Sequence, residues 1–202
     1  MDFKLTIFSD YICPWCYVGQ GPVEKLKDEF QFDLEWRPFY LYWDVPPKGM
    51  ELSEHIKQAR ANGSEEQLAQ IAESYQMPFV STPRIFNTRL AHEATEYARE
   101  QSKTNEFHRA TFHKVFADSQ DVGQWNVLRS SAQEVGLNAD EMQREVESGK
   151  YTANVAEQVE RAYRMGVSGV PTYVINDRYA IVGAQPYEVF KRALTRIVNE
   201  KV

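Results

Sequence analysis

The sequence predicts an α/β protein, a small sheet interrupted by a large all-helical insertion. Three observations predict this class. The first residues read strand, helix, strand; residues from about 46 to about 165 carry only helical periodicity; strand chemistry then returns near residue 172, followed by a closing helix. The α/β unit is therefore discontinuous, built from residues 1–45 and 166–202, with residues 46–165 as an inserted helical domain. At 202 residues and 43% hydrophobic content, the chain can bury a full core.

Phe3-Lys4-Leu5-Thr6-Ile7-Phe8-Ser9 reads as a buried strand, with Leu5 and Ile7 on one face and Thr6 and Phe8 on the other, as in a sheet covered on both sides. A helix opens at Cys13, with Pro14 at its first position, where a missing N–H costs nothing. Gly19, Gly21 and Pro22 predict a kink before Val23, Leu26 and Phe30 resume the apolar stripe. Leu34-Glu35-Trp36-Arg37 alternates as a second strand, and Pro46-Pro47-Lys48-Gly49 marks the crossing into the helical block.

Within that block, Ser64 with Gln67 predicts a capping box ahead of Leu68, Ile71 and Ala72. Asn87 predicts the N-cap of a helix carrying Leu90, Ala94, Tyr97 and Ala98. Phe107, Thr111, Val115 and Phe116 mark the next helix; Trp125, Leu128, Ala132 and Val135 mark another, closed by Gly136. Asn138 with Glu141 opens a short helix ending at Gly149, and a last one runs to Gly166. Thr172–Ile175 and Tyr179–Val182 are then β-rich, joined by an Asn176-Asp177 hairpin turn. Pro186 starts a closing helix with Val189, Phe190, Ala193, Leu194 and Ile197 inward.

Lys and Arg total 23 against 29 Asp and Glu, a net charge of −6, and no basic block occurs. That pattern argues against nucleic acid or an anionic membrane as partner, since both reward clustered positive charge. No stretch reaches transmembrane length. Met1-Asp2-Phe3-Lys4 opens directly into strand pattern without a basic and apolar leader, so a cytoplasmic setting is expected, where a disulfide would be transient. The sequence leaves monomer and homodimer open.

Cys13-Pro14-Trp15-Cys16 holds both cysteines of the chain, at the strand-to-helix junction. A C-x-x-C so placed is the signature of thioredoxin-like redox chemistry. A structural staple is the weaker reading, because closing so small a ring contributes roughly 2 kcal/mol on the loop-closure model, against about 4.7 for a 100-residue loop. A zinc site would need His92, His108 or His113 from far along the chain, without finger spacing, so no metal is expected. A pair of inert buried thiols is the remaining alternative. On the redox reading, the Trp15 and Cys16 N–H groups and the helix dipole favour a thiolate on Cys13. Cys13 is then the exposed nucleophile and Cys16 the buried resolving thiol. Trp15 carries no positive charge, so this effect is weaker than with histidine there.

Asp10, three residues before Cys13, is a candidate proton shuttle for Cys16, with a loop or cap carboxylate as the plainer alternative. Asn87 and Arg89 are candidates for facing the site from the insertion and binding a polar or glutathione moiety; a plain N-cap and a surface cation serve equally well. His92, His108 and His113 read as surface or core histidines. Gly169-Val170-Pro171-Thr172 places proline at a strand start and predicts a cis Val170–Pro171 bond opposite the C-x-x-C. The Val170 backbone would there pair with an extended substrate as an added strand.

These segments, with Gly183-Ala184-Gln185-Pro186 before the last helix, resemble the DsbA family of thioredoxin-fold proteins along essentially the whole chain. Phe86-Asn87-Thr88-Arg89 and His92-Glu93-Ala94 also resemble its FrnE-type branch. The resemblance implies a thioredoxin fold with a helical insertion, thiol–disulfide exchange, Cys13 as nucleophile, Cys16 as resolver and Pro171 as the cis-proline. It implies no cofactor beyond the cysteine pair, with glutathione as a candidate co-substrate and a disulfide-bearing protein or small thiol as the partner. The chain lacks the export signal and the histidine usual in secreted members, so disulfide reduction or isomerisation is expected rather than strong oxidation. Tyr40-Leu41-Tyr42-Trp43 is more aromatic than that branch leads one to expect and would alter the groove beside the site. A glutathione-dependent enzyme resembling kappa-class transferases and 2-hydroxychromene-2-carboxylate isomerases is the alternative, although those typically carry serine where this chain has Cys13. A redox-linked, chaperone-like binding protein is the third reading.

Overall fold

The computed structural model describes residues 3–199; Met1 and Asp2, part of the segment read above for a leader, lie outside them. Strands β1 (Phe3–Ser9), β2 (Phe32–Pro38), β3 (Thr172–Ile175) and β4 (Tyr179–Val182) form one sheet in the order β2-β1-β3-β4. β1 and β2 run parallel from Phe3↔Phe32 to Ser9↔Pro38, and β3 lies antiparallel on the other side of β1 from Leu5↔Ile175 to Phe8↔Thr172. The β3–β4 turn has Asn176 and Asp177 at φ 52° and 54°, the left-handed pair a tight hairpin demands.

Alternation along β1 splits its side chains between layers. Leu5 and Ile7 pack with Phe190, Leu194 and Ile197 of the closing helix, α10 by chain order (Tyr187–Asn199). Phe8 packs on the opposite face with Val174 and with Ala162 of α9 (Thr152–Arg164). The strand is covered on both sides, and all of its residues but Lys4 are buried.

The first helix breaks at Gly19, into α1 (Pro14–Val18) and α2 (Gln20–Leu26). Glycine is needed there because a Cβ would lie 2.3 Å from the Tyr173 hydroxyl, which donates to the Gly19 carbonyl. The helix resumes at Gln20, ahead of the expected Val23, and ends at Leu26, so Phe30 lies beyond it. Pro22 falls in the first turn of α2, where no N–H has a helical partner, so it does not interrupt the helix.

The helical block comprises α3 (Glu54–Ala59), a π turn (Arg60–Ser64), α4 (Glu65–Ser74), α5 (Arg89–Glu100), α6 (Thr104–Phe116), α7 (Trp125–Glu134), α8 (Ala139–Glu147) and α9. The expected capping box at Ser64 does not form. The chain enters α4 from α3 through the π turn, with Gly63 left-handed at φ 95°, so Ser64 is itself helical and its side chain caps nothing. The capping serine is Ser53, which accepts from the Ile56 N–H at the start of α3, a helix the periodicity does not reveal. Thr88, not Asn87, holds the N-cap position of α5; the Asn87 side chain nevertheless accepts from the Arg89 N–H at 3.0 Å. Asn138 caps α8 as expected, accepting from Glu141.

The largest apolar cluster runs across the join between sheet and helices. It takes in Tyr11, Ile12, Cys16, Tyr17 and Val18 from the β1–α1 region and Phe107, Phe112 and Phe116 from α6. His108 of α6 is buried beside it, stacked on Trp36 at 3.7 Å with Nε2 3.1 Å from Ser9 Oγ. Burial, reinforced by His92 and Arg99, pushes this imidazole well below its usual range. Below about pH 6.5 the unfolded chain takes up a proton that the native state refuses, so stability falls with pH, by up to about 1.4 kcal/mol per pH unit. His108→Gln should flatten the pH dependence of the denaturation midpoint between pH 6.5 and 5; parallel curves for the two proteins would refute the assignment.

Candidate active site

β1 delivers the chain to a tight turn at Asp10–Ile12, closed by the Cys13 N–H donating to the Asp10 carbonyl at 2.9 Å. Cys13 is the N-cap of α1, in extended conformation, and Pro14 occupies the first helical position. The Cys16 N–H points at Cys13 Sγ, 3.3 Å away, so the sulfur takes the place of a capping oxygen. Among the described residues no such bond reaches this sulfur from the Trp15 N–H, contrary to expectation; α1 presents one donor to it. Trp15 instead packs half-buried against the main cluster.

Both cysteines are free thiols and each is only 2% exposed. Cys16 is buried as expected, but Cys13 is not exposed. It lines a cleft of about 280 Å³ together with Leu41, Tyr42, Ile56, Arg60 and Val170, residues distant in sequence. Burial, then the hydrogen bond to Cys13 and the charge there, push the Cys16 thiol well above its ordinary range.

The Val170–Pro171 bond is cis, and the Val170 carbonyl accepts from Cys13 Sγ at 3.5 Å. The loop is held from both ends: Thr172 Oγ1 donates to the Gly169 carbonyl and the Gly183 N–H to the Pro171 carbonyl. The Gly183-Ala184-Gln185-Pro186 segment is thereby tied to the proline loop.

Asp10 is buried at 1% exposure, with its polar groups committed around the site. Oδ2 accepts from the Leu41 N–H at 2.8 Å, Oδ1 from the Ile12 N–H at 3.4 Å, and His92 Nε2 lies 3.4 Å from Oδ1. His92, from α5, is itself buried, 5.1 Å from the Tyr11 ring and 5.4 Å from the Tyr40 ring. Its pairing with Asp10 is what residue-by-residue reading missed; the one signal was its place in a segment that carries the resemblance.

Asn87 and Arg89 are not brought to the Cys13 cleft. They line a small neighbouring depression with Tyr40, Tyr42 and Trp43. The Asn87 amide is spent on the Val45 carbonyl and the Arg89 N–H, and the Arg89 side chain is exposed. Of the aromatic run, Tyr40 is buried and Tyr42 lines the cleft, while Trp43, 49% exposed, stacks on Tyr163 beside it. A larger cleft of about 500 Å³, between α2 and α6, contains neither cysteine. Among the described residues no helix is long and apolar enough to cross a membrane, and no three His, Cys, Asp or Glu side chains converge as metal ligands.

Residues 4–195 match the family model of the DSBA-like thioredoxin domain. The uncharacterized protein YwbO of Bacillus subtilis is 29% identical over 197 residues, covering 96% of this chain and 97% of that one. A 2-hydroxychromene-2-carboxylate isomerase of Sphingobium xenophagum is 27% identical over 188 residues, covering 88% and 91%. Among solved structures, a probable DsbA oxidoreductase, SCO1869 from Streptomyces coelicolor, superposes with a TM-score of 0.90 at 27% identity, covering 99% of this chain and 92% of that chain. The mixed sheet, the helical insertion and the family match agree: the chain belongs to the DSBA-like thioredoxin-domain family, whose members include thiol–disulfide oxidoreductases and a 2-hydroxychromene-2-carboxylate isomerase.

Proposed function

We propose that the protein is a thiol–disulfide oxidoreductase that reduces or isomerises protein or low-molecular-weight disulfides through Cys13 and Cys16. One observation carries the reading: a sulfur at the tip of a helix receives a backbone N–H, with a second thiol one turn below it and a proline loop opposite. In the reductive direction, Cys13 as thiolate attacks a substrate disulfide, forming a Cys13–substrate bond and expelling one substrate thiolate. Cys16 then gives its proton to Asp10 and attacks the Cys13 sulfur. The Cys13–Cys16 bond forms and the second substrate sulfur leaves as thiolate. A pair of small thiols, glutathione being a candidate, returns the enzyme to the dithiol and leaves as their disulfide.

Pro14 and Trp15 line the cleft at the helix tip, and Val170, joined to Pro171 by the cis bond, lines it beside Cys13 and offers its backbone to the substrate. For this the Val170 carbonyl must exchange the Cys13 thiol for a substrate N–H. The electrons reside on sulfur, so the cycle calls for no metal or nucleotide. The acidic net charge fits a protein partner or small thiol rather than nucleic acid or membrane, in a cytoplasmic setting, as monomer or homodimer.

The test is redox cycling. After exposure to oxidised and then reduced glutathione, acid quenching and alkylation, mass spectrometry should find the Cys13–Cys16 disulfide formed and then reopened. A pair that stays reduced at every glutathione ratio would end this reading. The similarity to a 2-hydroxychromene-2-carboxylate isomerase favours a second reading, a glutathione-dependent isomerase. Saturable glutathione binding without a redox couple would select it.

A further inference from the structure

Asp10 is a junction rather than an isolated acid. Its carbonyl holds the Cys13 N–H, its own N–H faces the Cys16 sulfur and favours its thiolate, and its carboxylate fastens Ile12 and Leu41. The turn that carries Cys13 and one wall of the cleft therefore meet at this residue. Oδ2 is held at 2.8 Å by the Leu41 N–H, whereas the Ile12 N–H reaches Oδ1 only at 3.4 Å. His92 gives Oδ1 a second partner, its Nε2 at 3.4 Å, and the imidazole packs against the Tyr11 and Tyr40 rings. Both partners are buried, at 4% and 1% exposure, so water does not compete for the contact.

We propose that His92 is a positioning residue for the second half of the exchange, holding the Asp10 carboxylate in the orientation in which it takes the Cys16 proton. The inference rests on the thiol–disulfide reading and goes beyond it. The step it governs is defined: Cys16 S–H yields its proton to the Asp10–His92 pair, the Cys16–Cys13 bond forms, the Cys13–substrate bond breaks, and the substrate thiolate departs. The first attack, by Cys13, forms its bond before any of this is needed and does not depend on His92.

A coloured-thiolate assay with dithiobis-nitrobenzoate separates the two halves in one stopped-flow trace. The reduced protein should release a first thiolate as Cys13 attacks and a second as Cys16 resolves the mixed disulfide. His92→Leu should slow the second phase about tenfold or more, less than the roughly 10²–10⁴-fold of a group that itself moves the proton because His92 acts through Asp10, and leave the first within about twofold. His92→Gln, which keeps a hydrogen-bond donor toward Asp10 but cannot titrate, should recover much of the lost rate. Asp10→Asn, which removes the acceptor itself, should slow the second phase at least as much, and if the leucine variant does not fold, His92→Asn, too short to reach Oδ1, takes its place. The proposal is overturned if both phases slow together, if the second phase is unchanged in the folded variants, or if glutamine is as slow as leucine. A wild-type protein that never releases the second thiolate would instead sink the disulfide chemistry itself.

Discussion

Cys13→Ser should reduce disulfide exchange to the uncatalysed background, while Cys16→Ser should capture one substrate per molecule and stop. The asymmetry follows from the two environments. Cys13 faces the cleft and the Cys16 N–H, and a substrate sulfur descending past Val170 meets it first. Cys16 lies beneath, and burial, the largest cause of its raised pKa, persists when Cys13 is replaced. In Cys13→Ser, therefore, the remaining thiol stays protonated at neutral pH. Alkylation by iodoacetamide should be slower than for free cysteine at pH 7 and rise only well on the alkaline side of the free thiol's range. In Cys16→Ser nothing sits beneath Cys13 to expel what it has captured, so mixed disulfides accumulate and survive acid quenching. Mass spectrometry of the variant after contact with a disulfide should find one adduct, on Cys13. Adducts on Cys16 in the reciprocal variant, forming at comparable speed, would reverse the assignment of roles.

The features legible in the sequence are those encoded within a few residues. The strand-to-helix junction at Cys13, the Asn176-Asp177 turn and the left-handed glycines 136, 149 and 166 at helix ends all follow from local conformational preference. Ser64 shows the limit of such signals. The same serine-x-x-glutamine pattern caps a helix only when the preceding chain arrives extended, and here it arrives as another helix. The burial of Cys13 was illegible for a different reason. A residue's accessibility depends on what packs around it, and the cleft that Cys13 lines is completed by Ile56, Arg60 and Val170, far along the chain. His92 and Asp10 are 82 residues apart, and each taken alone has an ordinary explanation. Only the approach of α5 to the β1–α1 turn makes them a pair. Periodicity identifies which faces are buried, but it does not say which polar groups meet inside.

Phe112→Ala should be the most damaging single change to the fold outside the cysteines' own turn, costing about 3–5 kcal/mol, a large share of the roughly 5–15 kcal/mol that holds a domain folded. Phe112 is fully buried, and its ring meets Tyr11 at 4.9 Å, His108 at 4.7 Å, Phe116 at 6.1 Å and Tyr17 at 6.2 Å. Truncation leaves a void that these rings are poorly able to fill, because their polar ends are fastened elsewhere. The Tyr11 hydroxyl is bonded to Thr95, Tyr17 donates to the Pro78 carbonyl, and His108 is held against Ser9. Partial collapse is the usual relief for a core cavity, and hydrogen bonds at the rim restrict it, which places the cost toward the upper part of the range. Phe112→Leu keeps most of the volume and should cost distinctly less. Denaturant midpoints with an unchanged slope would measure both. The loss should also be felt in the site, since Tyr11 and Tyr17 flank the Cys13–Cys16 turn and share the apolar cluster with both thiols. At denaturant concentrations well below the midpoint, Cys16 in Phe112→Ala should therefore alkylate faster than in the parent protein. If it is equally protected while global stability falls, the thiols depend on the sheet side of the fold rather than on α6.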